Sequence, residues 1–166
     1  MRIAQIRRYD AANGPGIRAT LFVSGCTHNC KGCFNSIAQD FNYGSLYTDD
    51  IKKQFISYCK DDKVTGVSIL GGEPMQQSKE LLELLKDIRA TVNKPIWLWS
   101  GYTYEEIIKD NYKKQFLDYI DVLIDGKFEE ANKNLMIKYR GSSNQRVINV
   151  KDTLNKGKII QYSLNL

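Results

Sequence analysis

Apolar residues fall in short, separated runs along the chain rather than in one long block. Residues 17–25, IRATLFVSG, are rich in β-branched and aromatic side chains and predict a buried strand. VTGVSIL at 64–70 predicts a second strand that ends at a glycine pair. PIWLWS at 95–100 and IDVLID at 120–125 predict a third and a fourth. Between these runs the period becomes helical. Ile51, Phe55 and Cys59 share a face behind Thr48, a good capping residue. Leu81, Leu85, Ile88 and Val92 share another behind Ser78. Thr103 and Glu106 have the spacing of a capping box for a third helix.

Strand and helix thus alternate from residue 17 to residue 125, which argues for a parallel sheet with right-handed helical crossovers. A closed eight-unit barrel takes about 250 residues, and this chain has 166. The expected fold is α/β: an open, partial (β/α) barrel of mainly parallel strands, in a single domain over residues 1–166. The tail from Gly126 is polar, and two short strands are expected in it, at 146–150 and 158–163, joined by Lys156–Gly157.

Composition narrows the class. With 42% hydrophobic and 26% charged residues the chain is ordinary for a globular protein and unlike a disordered one. The first residues, MRIAQIRRYDAANGPG, lack the apolar core of a secretory signal. No apolar run approaches the ~18 residues of a membrane span, so a cytoplasmic protein with no membrane partner is expected. The net charge of +5 comes from scattered bases and from pairs such as Lys52–Lys53 and Lys113–Lys114. That pattern predicts a solvated surface rather than a nucleic-acid stripe.

Cysteine changes the picture. Cys26, Cys30 and Cys33 form a CxxxCxxC run directly after the first predicted strand, with Cys59 further on. In parallel α/β folds the loops at strand C-terminal ends carry the chemistry. Clustered thiols in a reducing compartment bind metal or do redox work. Thiolates are soft ligands that suit iron–sulfur clusters and zinc. Three thiolates on a four-iron cubane leave one iron open, which separates a catalytic cluster from a four-cysteine electron carrier. A zinc site with His28 as fourth ligand would crowd every ligand into one short stretch, where a tetrahedral cage is hard to close. His28 is therefore expected as an exposed loop residue. Cys59, on the apolar face of a helix, is expected as buried packing.

Gly71-Gly72-Glu73-Pro74 follows the second predicted strand. Paired glycines let a ligand approach the backbone closely. The carboxylate and the strand-end carbonyls are acceptors suited to an ammonium group.

Taken in order, CxxxCxxC followed by the aromatic Phe34, and then GGEP, resemble the signatures of the radical S-adenosylmethionine (SAM) superfamily. The resemblance implies a [4Fe–4S] cluster on Cys26, Cys30 and Cys33, through which these residues act in catalysis. It implies SAM binding by Gly32, Cys33, Phe34, Gly71, Gly72 and Glu73, with Phe34 near the adenine and the Gly71–Pro74 turn at the methionine amine. Asp125 and Lys127 either help orient SAM or are exposed strand-end charges. NGPGIR at 13–18, WLWSGY at 97–102, DGKF at 125–128 and RGSSNQR at 140–146 resemble, more narrowly, the activating proteins of anaerobic (class III) ribonucleoside-triphosphate reductase. That implies an oxidoreductase that reductively cleaves SAM. The resulting 5′-deoxyadenosyl radical takes hydrogen from a glycine Cα of the reductase catalytic subunit and leaves a glycyl radical. A one-electron donor such as flavodoxin is implied as a further partner. RGSSNQR either grips the reductase or is a plain polar loop. Two alternatives remain at this point: an activase of another glycyl-radical enzyme, of the pyruvate formate-lyase type, and a small zinc-binding nucleic-acid module.

Overall fold

In the computed structural model, which describes residues 1–164, the elements run β1 (Arg2–Asp10), β2 (Arg18–Ser24), β3 (Ser45–Leu46), α1 (Asp49–Lys60), β4 (Gly66–Gly71), α2 (Lys79–Thr91), β5 (Ile96–Trp99), α3 (Tyr104–Ile107), β6 (Val122–Asp125), β7 (Arg146–Asn149) and α4 (Val150–Lys156). The strands form one sheet in the order β3-β1-β2-β4-β5-β6-β7. The four strands expected from the hydrophobic runs are its parallel centre, β2, β4, β5 and β6. Antiparallel strands flank them: β1 and β3 on one side, β7 on the other. The edge strands β3 and β7 do not pair with each other, so the sheet is open.

Alternation along each central strand sorts side chains to two faces. Ala19, Leu21, Val23, Val67, Ile69, Ile96, Leu98 and Leu123 pack into the main core with the helices. Helix α2 contributes Leu81, Leu84, Leu85 and Ile88, all fully buried. Helix α1 contributes Phe55 and Cys59. Thr48 caps α1 by accepting from the Ile51 N–H, and Thr103 with Glu106 forms the expected capping box, although α3 lasts only four residues. Ser78 stands at the cap position of α2, but its hydroxyl caps no backbone N–H and donates instead to the Glu80 carboxylate.

The opposite face carries Trp97, Val122, Ile124 and Val147, with Trp99, Tyr139 and Tyr162 packed on them. Arg18 lies fully buried on this face. Its guanidinium donates to the Val67 and Pro95 carbonyls and to Ser68 Oγ, and it stacks over Trp97. Burial pulls its pKa down to about 10. A Cβ on Gly66 would come within 1.9 Å of Arg18 Nη1, so glycine at 66 is what makes room for this side chain.

The N-terminus adds a strand that the periodicity did not mark, and the expectations for residues 156–163 in the tail need correction. The N-terminal residues, read above only for a targeting signal, form the nine-residue strand β1. In the tail, residues 158–163 form no strand; Gln161 makes only an isolated bridge to Ile148. The Lys156–Gly157 pair is no hairpin turn. Asn149 caps α4 by accepting from the Asp152 N–H, and Gly157 ends the helix in the left-handed region at φ 65°.

Candidate functional site

The C-terminal ends of the four parallel strands converge on a cavity of about 540 Å³ on the face away from the helices. The ends of β2, β4 and β6 turn at glycines of positive φ, Gly25, Gly71 and Gly126. Gly25, at φ 109°, follows β2, where a Cβ would strike the Phe41 ring. Beyond it the loop runs through Cys26, Cys30 and Cys33, and all three free thiols line the cavity. Burial pushes the Cys26 thiol up to about 11. Burial, and then the neighbouring Cys33, raises that of Cys30. The environment alone therefore keeps Cys26 protonated near neutral pH. A metal centre, which binds the thiolate, would displace its proton.

Gly71 and Gly72 reach the cavity from β4. Their lack of a Cβ has a packing reason as well as a ligand reason. A Cβ on Gly71 would lie 2.4 Å from the Val23 carbonyl oxygen, and one on Gly72 would lie 2.5 Å from that of Gly25 and 2.7 Å from that of Ala38. Glu73 is fully buried, and protein groups already occupy its carboxylate. Oε1 accepts from the Met75 N–H and Ser100 Oγ, each at 2.9 Å. Oε2 accepts from the Gly101 N–H at 2.6 Å and from His28 Nε2 at 2.8 Å. An ammonium group arriving at this turn meets backbone carbonyls rather than a free carboxylate.

His28 is not the exposed loop residue expected. Its side chain is 7% exposed, and its ring packs edge-on against Tyr102 with centroids 4.6 Å apart. Its bond to Glu73 commits Nε2, which removes that atom from any role as a fourth metal ligand. Among the described residues no group of three or more His, Cys, Asp and Glu side chains is placed to hold a single metal ion. Cys59 is buried, as expected, and burial drives its thiol up to about 12.

The remaining sequence candidates divide. Phe34 lines the cavity and packs on Phe128 with centroids 4.9 Å apart. Gly32 turns the loop at φ 74°, with its would-be Cβ directed at Glu130 and Phe128. Lys127 lines the cavity. Asp125 does not; it is buried, accepts from the Tyr104 N–H and is paired with Arg146 at 2.5 Å. Arg146 also bonds Glu105, so the two carboxylates together raise its pKa.

The RGSSNQR stretch has a structural purpose. Gln145 accepts from the Gly141 and Ser142 N–H groups and donates to the Gly126 carbonyl, while Asn144 donates to that of Lys127. Its polar side chains thus brace the loop after β6. A Cβ on Gly141 would lie 2.7 Å from the Phe34 ring, so the stretch also presses against the aromatic pair beside the cysteine loop. Arg7, Asn13, Trp99 and Tyr139 complete much of the wall. Asn13 and Trp99 belong to the NGPGIR and WLWSGY stretches; Arg7 and Tyr139 carried no sequence signal, because strand parity and long-range folding bring them there.

Residues 12–148 match the family described as the 4Fe–4S single cluster domain. The chain is 40% identical over 150 residues to the anaerobic ribonucleoside-triphosphate reductase-activating protein of Vibrio cholerae, covering 87% of this chain and 96% of that one. It is 40% identical over 152 residues to the protein of the same name from Escherichia coli K12, covering 89% and 97%. The phage T4 protein of that name is 39% identical over 152 residues, covering 89% and 93%. The chain therefore belongs to the family of anaerobic ribonucleoside-triphosphate reductase-activating proteins.

Proposed function

We propose that this chain is a radical SAM activase that generates a glycyl radical on the catalytic subunit of anaerobic ribonucleoside-triphosphate reductase. The observation that carries the reading is that the three thiols of CxxxCxxC and the Gly71–Gly72 turn line one cavity. On this reading the open sheet is a partial barrel of the radical SAM type, and Cys26, Cys30 and Cys33 hold a [4Fe–4S] cluster. Bound there, the cluster supplies the electron that splits SAM into methionine and a 5′-deoxyadenosyl radical. The residues of the chain bind, orient and exclude water. The carbonyls after β4 receive the methionine amine, Lys127 offers a cation to its carboxylate, and Phe34 offers an aromatic face to the adenine. Trp99 and Tyr139 add aromatic surface to the cavity wall.

The donor set favours a cluster over zinc, because His28 Nε2 is bonded to Glu73 and, among the described residues, no three His, Cys, Asp or Glu side chains are placed around a single ion. The names of the relatives favour the ribonucleotide reductase over pyruvate formate-lyase as target. The chain works in the cytoplasm, with a flavodoxin-type donor and without nucleic acid. Among the described residues no helix is long and apolar enough to cross a membrane.

The test is anaerobic reconstitution with iron and sulfide, followed by SAM and dithionite. The parent should release methionine and 5′-deoxyadenosine, as should Cys59→Ala. Alanine at 26, 30 or 33 should abolish release. Equal loss of iron in Cys59→Ala would contradict the ligand assignment.

A further inference from the structure

The cysteine loop and the Gly71–Pro74 turn come from different strands, yet side chains strap them together. His28 stands midway between Cys26 and Cys30 and donates from Nε2 to Glu73 Oε2 at 2.8 Å. Glu73 is in turn fixed by Ser100 Oγ and the Gly101 N–H at the end of β5. Gly101 lies directly against the imidazole, since a Cβ there would come within 2.5 Å of the ring. A second strap runs alongside. Gln76 accepts from the Thr27 N–H at 2.9 Å and donates to Thr27 Oγ1 at 2.8 Å and to the Tyr102 hydroxyl at 2.9 Å. Tyr102 closes the arrangement by packing against His28. Backbone bonds hold the start of the loop, from Gly25 N to the Ala38 carbonyl, from Cys26 N to that of Gln39, and from Glu73 N to that of Gly25; beyond Cys26 and up to Cys33 the bonds to the turn come from the side chains of His28 and Gln76.

A buried carboxylate and a buried imidazole both lose hydration, so a fold keeps such a pair only where other bonds satisfy it. Here the pair joins the two segments that SAM must bridge. We propose that His28, through its hydrogen bond to Glu73, is a positioning residue that fixes the separation between the Cys26–Cys33 loop and the Gly71–Gly72 turn, and thereby sets how tightly SAM is held. The inference rests on the radical SAM reading and adds a residue to it. His28 also lines the cavity, but its role is positional. It acts through Glu73.

The experiment compares His28→Ala, His28→Asn and His28→Gln with the parent chain after anaerobic reconstitution. Iron and labile sulfide per chain are measured first. SAM is then titrated against the electron paramagnetic resonance spectrum of the reduced cluster. All three variants should load iron as the parent does. His28→Ala should need about tenfold more SAM or more for half-saturation, the scale of one lost hydrogen bond to a charged group. Gln can reach Glu73 and should recover most of the affinity, whereas Asn is one methylene too short and should not. If the alanine variant does not fold, the Gln and Asn pair decides by the same contrast. Parental half-saturation in His28→Ala or His28→Asn overturns the proposal. So does failure of a folded His28→Ala to load iron, which would assign His28 to the cluster itself. If the parent takes up a cluster whose signal ignores SAM, or takes up none, the radical SAM reading fails and this inference falls with it.

Discussion

Glu73 shows how a residue can be legible in its type and not in its task. Its place in GGEP marks it from the sequence, but its carboxylate is sealed by Met75, Ser100, Gly101 and His28. Glu73→Gln turns one acceptor oxygen into a donor that faces other donors. It should destabilise the metal-free chain by about 1–3 kcal/mol, the penalty for unmatched buried polar groups. An unchanged urea midpoint would contradict the burial described. Gly72→Val should do more than crowd a ligand. The Gly25 and Ala38 carbonyls lie within 2.7 Å of the added Cβ, so the start of the cysteine loop must shift. Iron uptake should fall together with SAM binding; parental iron uptake would show that the turn tolerates the side chain. The thiols at 26, 30 and 33 were legible because ligand identity and spacing are local properties. The burial of His28 was not, since its partner Glu73 lies 45 residues away and its stacking partner Tyr102 is further still.

Elements were readable where both faces of a strand are buried. In β4 five consecutive residues are buried, which leaves a mostly apolar run bounded by glycine. Strand β1 was not readable by that rule, because RIAQIRRYD buries only Ile3 and Asp10 and turns polar residues outward. Its signal is its pairing with β2, which no local pattern announces. In the tail, the strand expected at 146–150 forms as β7, whereas for the one expected at 158–163 the cap residues Asn149 and Gly157, which bound α4, were the better guide. Helix α2 is held by its apolar face rather than by a hydroxyl cap, so its cost of truncation is predictable. Leu85→Ala, at a fully buried position in the main core, should cost about 2–5 kcal/mol, read as a lower urea midpoint. A loss below 1 kcal/mol, roughly the cost of a surface change, would show that α2 does not pack as described.

At the scale of the whole molecule, an open sheet gathers four strand ends around one cavity, and exposed ion pairs dress the outside. Asp110 is drawn down to about 2 by Lys113 Nζ and backbone N–H groups. Arg146 lowers Glu105, and the N-terminal ammonium lowers Glu80. A carboxylate with a depressed folded-state pKa stabilises the fold above its unfolded value, 3.8 for Asp and 4.5 for Glu, and loses that contribution as pH falls. The melting temperature of the metal-free chain should be nearly level from about pH 7 to 5 and should drop below about pH 4. A rise on acidification would contradict these pairings. The parallel centre and its helical crossovers followed from the alternation of strand and helix. The convergence of Arg7, Tyr139 and the RGSSNQR brace on the same cavity did not, because it depends on the antiparallel edges. The central claim is that this cavity makes a radical on a glycine of another protein. The most direct measurement mixes reconstituted, reduced chain with SAM and anaerobic ribonucleoside-triphosphate reductase, and records the electron paramagnetic resonance spectrum. A stable doublet should form on the reductase and collapse when that protein carries Cα-deuterated glycine. A doublet indifferent to the label, or no protein radical while SAM is still cleaved, would contradict the activase function.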